Sequence, residues 1–140
     1  MARGLFEEAY LSLPPWDIGR PQGEIIRLAV FLEWDALEIP GLGKRFDTII
    51  DCGLFHVFSD EERPLYVKGL SMVLVPGGTF RMLCFNEMEP GDWGPRRVTQ
   101  REIREAFDRG WRVDSIREAH FETNLGPEGC RAWLSSMTRE

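Results

Sequence analysis

Two short apolar segments separated by a helical pattern and a glycine turn lie between Phe46 and Phe85, and this succession leaves few folds open to the chain. Phe46-Asp47-Thr48-Ile49-Ile50-Asp51 reads as a buried strand. Ser59 and Glu62 have the spacing of a capping box, in which each side chain bonds the other's backbone N–H, and predict a helix from about residue 60 to Leu74. Pro64 falls in its first turns, where few N–H groups have an intrahelical partner to lose. Val75-Pro76-Gly77-Gly78 is a turn signal, and 79–85 then reads as a second strand, apolar enough to be covered on both faces. Strand, helix and strand in that order specify an α/β alternation.

The flanking sequence extends this pattern. Residues 86–98 are rich in Pro, Gly and acids, include Trp93, and predict a long loop. Thr99 and Glu102 repeat the capping box and open a helix over 99–109 that Gly110 ends. Residues 111–122 alternate with strand period and 130–137 form a last strand, so the two should pair antiparallel at one sheet edge. Ahead of the first strand, helical spacing occupies 3–11 and 21–29 on either side of Pro14-Pro15-Trp16-Asp17-Ile18-Gly19-Arg20-Pro21. The run 30–34 reads as a strand that follows the second helix with no Gly, Pro or Asn between them, and Pro40-Gly41-Leu42-Gly43 reads as a turn. A length of 140 residues predicts one domain over 1–140, with 1–29 as a helical cap and 30–140 as the sheet portion.

Charge narrows the partners. With 17 Lys and Arg against 23 Asp and Glu the chain carries a formal charge of −6, and no basic run exceeds two residues, so nucleic acid and anionic membrane surfaces are not expected partners. No apolar stretch approaches the ~20 residues of a membrane helix. Cys52, Cys84 and Cys130 form no C-x-x-C pair and no signal peptide is evident, which predicts a reduced, cytoplasmic protein.

Asp51, Cys52, Gly53 and His56 fall at the carboxyl end of the first strand, where open α/β sheets bind ligands. The plainer alternative is that Gly53 only permits a tight turn and His56 packs with Leu54 and Phe58. Cys52, His56 and Cys84 are a weak metal set beside a C-x₂₋₄-C pair, so no metal is expected.

The string Phe46-Asp47-Thr48-Ile49-Ile50-Asp51-Cys52-Gly53-Leu54-Phe55-His56-Val57-Phe58, followed by a helix and Leu74-Val75-Pro76-Gly77-Gly78, resembles the second half of a class I S-adenosylmethionine-dependent methyltransferase. The segment from Pro14 to Pro21 is similar to the cofactor cover of the thiopurine- and tellurite-resistance-like subgroup. The resemblance implies a truncated Rossmann-like sheet with helices on both faces and an antiparallel carboxyl-terminal strand pair. It implies S-adenosylmethionine as cofactor, with Trp16 and Arg20 near its methionine end, Asp35 and Ala36 at adenine, and Cys52 and Gly53 at the strand end. His56 and Trp93 would face a small-molecule methyl acceptor. An indole face attracts a sulfonium and a guanidinium binds carboxylate in a fork, which suits Trp16 and Arg20 to those places, although Trp16 filling a core gap beside Pro14 is an equal alternative. Methyl transfer is an in-line displacement governed by positioning, so no obligatory catalytic residue is named, and Asp51 or His56 would serve only an acceptor that must lose a proton.

Nothing in the sequence corresponds to the family's first strand, Gly-rich loop, next helix or second strand; the chain passes from Leu28-Ala29 to Val30-Phe31. Their loss would leave the strand at Phe46 with an unpaired apolar edge. Residues 30–34 could pair there, a second copy could cover it in a homodimer, or the fold could be marginal. The competing functional expectation is an inactive methyltransferase remnant serving as a dimeric interaction or scaffold protein.

Overall fold

A computed structural model describes residues 32–140 apart from Leu125. Residues Asp35–Glu140 form one compact unit. Trp16, Arg20, the two helices expected before residue 30 and most of the strand expected over 30–34 therefore lie outside the described residues. Residues 32–34 carry no strand.

The compact unit opens with a 3-10 turn, Ala36–Leu42, where a bare turn over 40–43 was expected. Asp35 caps it by accepting from Leu37 N at 2.9 Å, and Gly43, at φ 63°, ends it. Strand β1 (Phe46–Cys52), helix α1 (Glu62–Val73), strand β2 (Leu74–Phe85), helix α2 (Gln100–Ala106), and strands β3 (Trp111–Thr123) and β4 (Gly126–Arg139) follow. The described strands form one sheet in the order β1-β2-β4-β3, with β1 parallel to β2 and β4 antiparallel to both its neighbours.

Both capping boxes form. Glu62 N donates to Ser59 Oγ at 3.2 Å while Ser59 N donates to Glu62 Oε2 at 2.9 Å, and Thr99 and Glu102 exchange the equivalent pair. Helix α2 ends at Ala106, three residues short of the expected 109, because Phe107 leaves helical geometry and drops into the core. The expected turn at Val75–Gly78 lies inside β2. Phe46 pairs with Leu74 and Thr48 already with Thr79, so the Pro-Gly-Gly segment is a bulge that β1 bridges with one intervening residue.

One face of the sheet is closed by Phe80, Met82 and Cys84 of β2 and Trp133 and Met137 of β4, which pack with Tyr66, Val67 and Leu70 of α1 and Ile103 of α2. The two described helices share that face and are joined by Arg63 and Glu102 at 3.0 Å. The opposite face carries exposed Arg81 and Ile50, the latter 74% exposed. β1 is therefore not the buried strand its composition predicts: only Asp51 in it is buried. Among the described residues β1 has β2 as its sole neighbour, which leaves its outer edge and one of its faces without packing partners.

Candidate functional site

The carboxyl ends of β1 and β2 are organised around Asp51. Its Oδ1 accepts from Leu54 N at 2.7 Å, and its Oδ2 from Phe55 N at 3.0 Å and Tyr66 Oη at 3.1 Å. The carboxyl thus ties the end of β1 to the turn Phe55–Val57 and to α1. Burial raises its pKa against the opposing pull of these three bonds. With both oxygens so engaged, Asp51 is a structural group and not a free base.

The turn that Asp51 holds delivers His56 into a buried position. His56 Nδ1 accepts from Phe85 N at 3.0 Å, and its Nε2 edge lies against the backbone of Gly53. Gly53 N in turn donates to Leu83 O at 2.9 Å. The imidazole is a strut between the ends of the two parallel strands. Burial lowers its pKa to about 4, helped by the positive charges of Arg63 and Arg97. It is neutral near pH 7, with its proton on Nε2 because Nδ1 is an acceptor.

That lowered pKa has a measurable sign. The folded protein binds the proton less readily than the unfolded chain, so the contribution of His56 to stability is complete above pH 6.5 and is lost as the pH falls toward 4. Allowing for partial solvent access, the loss is about 2 kcal/mol. Asp51, whose pKa is raised, works in the opposite direction, so the His56 share is read as the difference between wild type and His56→Gln in urea unfolding from about pH 7 to pH 4.5. Equal slopes for the two proteins would remove the argument.

Aromatic rings gather round this strut. Phe85 meets His56 edge-on at 5.1 Å, Phe121 at 5.4 Å and Trp93 at 5.9 Å. Phe121 arrives from β3, the far strand of the sheet, because the long β3–β4 hairpin carries its tip over the strand ends. Gly53 has φ +82°, and a Cβ there would stand 2.9 Å from the Phe121 ring. The close approach, as well as the backbone angle, requires glycine.

His56, Gly53 and, through Phe85, Trp93 therefore come together. Cys52 is exposed beside them at the end of β1. Asp35 and Ala36 sit elsewhere, at the start of the 3-10 turn. There Asp35 borders an open groove of about 420 Å³ shared with Leu37, Pro40, Leu65, Gly69 and Met72. No cluster of potential metal ligands occurs among the described residues, and burial pushes the Cys84 thiol up to about 12. Arg97, which lies with Trp93 on the loop that the family resemblance puts on the substrate side, belongs to the cluster, and so do Phe85 and Phe121, which no sequence motif singled out. The only signal was the strand period that placed Phe85 and Phe121 near strand ends.

No protein-family model matches the chain. The 2-heptyl-1-hydroxyquinolin-4(1H)-one methyltransferase of Mycobacteroides abscessus is 27% identical, with 87% of this chain and 79% of that protein covered. That alignment runs over 179 positions and this chain has 140 residues, so part of the relative has no counterpart here. A structure solved for the conversion of a disulfide bond into a thioacetal group during echinomycin biosynthesis is 27% identical with a TM-score of 0.67 over 80% of this chain. This chain spans 57% of that one. A S-adenosylmethionine-dependent methyltransferase from Methanosarcina mazei, 15% identical, shares the fold with a TM-score of 0.60 over 72% of this chain and 64% of its own. Parallel β1 and β2 and the antiparallel β4 between β2 and β3 give the chain the sheet it shares with S-adenosylmethionine-dependent methyltransferases, and in sequence it is similar to a methyltransferase.

Proposed function

We propose that the chain binds S-adenosylmethionine beside the carboxyl end of β1 and transfers its methyl group to a small-molecule acceptor held against the aromatic cluster. The observation that carries this reading is the convergence of Gly53, His56, Phe85 and Trp93 at the ends of two parallel strands, with exposed Cys52 adjoining them. The cofactor's sulfonium supplies an activated methyl group for in-line displacement. Cys52 and the Gly53 backbone would line its strand-end side. Asp35 uses Oδ1 on Leu37 N, which leaves Oδ2 to accept from an exocyclic amine such as that of adenine, beside Ala36. No glycine-rich loop following a strand precedes Asp35 in the sequence, and the unmatched part of the Mycobacteroides relative is consistent with an internal segment missing here. Neutral, strut-bound His56 orients Gly53 and the acceptor wall and does not collect a proton.

Three finer readings accompany the proposal. The segment from Pro14 to Pro21, with Trp16 and Arg20, supports the thiopurine- and tellurite-resistance-like subgroup. The open edge of β1 and exposed Ile50 support a homodimer that covers them. Three free cysteines support a reducing, cytoplasmic setting.

Isothermal titration with S-adenosylhomocysteine, with mass recorded by light scattering on the same sample, tests the reading. Saturable 1:1 binding is expected, and Asp35→Ala should weaken it about tenfold, the value of one lost hydrogen bond of ordinary strength. Turnover is then assayed with labelled S-adenosylmethionine and 2-heptyl-1-hydroxyquinolin-4(1H)-one as probe acceptor. No heat at millimolar ligand would refute the enzyme reading and leave an inactive remnant.

A further inference from the structure

The loop after β2 is built around one side chain. Arg97 Nε donates to Glu89 O at 3.2 Å, Nη1 to Trp93 O at 2.8 Å and Pro95 O at 2.7 Å, and Nη2 to Pro90 O at 3.1 Å and Gly91 O at 3.3 Å. Five carbonyls of one loop thus converge on a single guanidinium, whose rigid fork of donors no other side chain offers. The same group lies 5.4 Å from the Phe85 ring centroid and 5.3 Å from that of Trp93, within reach of cation–π attraction to both. Trp93 is also held from below: Gly91 has φ +82°, and a Cβ there would meet the indole at 2.9 Å.

The loop is fastened to the sheet as well as to itself. Trp133 Nε1 donates to Glu87 Oε2 at 2.7 Å, Arg131 N donates to Glu89 Oε2 at 2.6 Å, and Val98 N closes the loop onto Phe85 O at 2.9 Å. A Pro- and Gly-rich segment of this length would otherwise sample many conformations. Here it presents one half-buried indole at a set place against Phe85, whose ring in turn meets His56.

We propose that Arg97 is a positioning residue which holds Trp93 as the fixed wall against which a flat, aromatic methyl acceptor packs. The proposal rests on the functional reading above. A pre-set indole gives a planar ligand a stacking surface without the entropic cost of ordering the loop on binding. Lysine in place of Arg97 keeps the charge but has three donors on a flexible stem, so it cannot bond five carbonyls at once.

The test compares wild type, Arg97→Lys, Arg97→Ala and, as a surface control, Arg101→Ala, whose side chain pairs with Glu105 on the exposed side of α2. S-adenosylhomocysteine affinity is measured by calorimetry, binding of 2-heptyl-1-hydroxyquinolin-4(1H)-one to the loaded protein by tryptophan fluorescence, and KM and kcat with the same probe. Hydrogen exchange over residues 86–98 reports on the loop. The expected result is unchanged S-adenosylhomocysteine affinity in all four. Both Arg97 variants should show probe affinity and KM at least tenfold weaker, kcat within about twofold, and faster exchange in the loop. Loop exchange that speeds up with probe affinity and KM unchanged would make Arg97 merely structural and overturn the proposal. Failure of loaded wild type to bind the planar probe would overturn it too. Loss of S-adenosylhomocysteine binding in wild type would instead sink the functional reading on which it rests.

Discussion

Asp51→Ala is expected to destabilise the protein by about 3–4 kcal/mol, a large part of the 5–15 kcal/mol that holds a domain of this size together. The carboxyl serves two backbone N–H groups and one hydroxyl in a buried place, and all three lose their acceptor together. Water does not replace it at Phe55, which is fully buried, or at Tyr66, which is nearly so, although Leu54 is partly exposed. Tyr66→Phe removes only the hydroxyl's bond and should cost about 1 kcal/mol. Asp51→Asn keeps the shape but offers one acceptor oxygen and turns an amide donor toward other donors, so it should fall between the two. Urea unfolding of the three variants checks the ranking. A loss under 1 kcal/mol for Asp51→Ala would show that the turn at 55–57 is held by packing alone. The functional consequence follows from connectivity: that turn carries His56, so loosening it slackens the strut between β1 and β2.

Gly53→Ala should cost about 3 kcal/mol and at least tenfold in S-adenosylhomocysteine affinity. Two costs combine. An L side chain at φ +82° costs about 1–2 kcal/mol by itself, and a methyl group 2.9 Å from the Phe121 ring must push the hairpin tip aside. The two are separable by a double-mutant cycle. Phe121→Ala alone loses ring packing against Phe85 and His56. In that background Gly53→Ala should cost only the backbone share, so the pair should be non-additive by about 1 kcal/mol. Full additivity in thermal or urea unfolding would mean that the Phe121 ring yields freely and that the contact does not hold the hairpin over the strand ends.

Local patterns proved sufficient wherever the interacting groups lie within a few residues of one another. Both capping boxes formed between the residues named for them, Pro64 was accommodated in the first turn of α1, and Gly110 at φ +77° introduced β3. The strand–helix–strand unit and the antiparallel tail were legible because side-chain period reports which face of an element is buried. Where interpretation needed a partner distant in sequence, the chain's own text misled. Val75–Gly78 has the composition of a turn, yet it is a bulge, because β1 pairs with β2 on both sides of it. β1 has the composition of a central strand, yet Ile50 is 74% exposed, because composition does not show whether a neighbour is present.

The sequence by itself determined the order of the described strands and α-helices and the strand terminus at which the candidate site forms, since each depends on contacts within a turn or two of helix or along one strand. The tertiary structure decided which groups meet at that terminus. Phe121 crosses from the far strand to stand on Gly53, His56 bonds Phe85 across 29 residues, and Arg97 draws five carbonyls onto itself. These contacts arise only once the sheet has set its strand order and the hairpin has curled over its end. Sequence distance carries no information about that geometry, because packing of the whole core selects it.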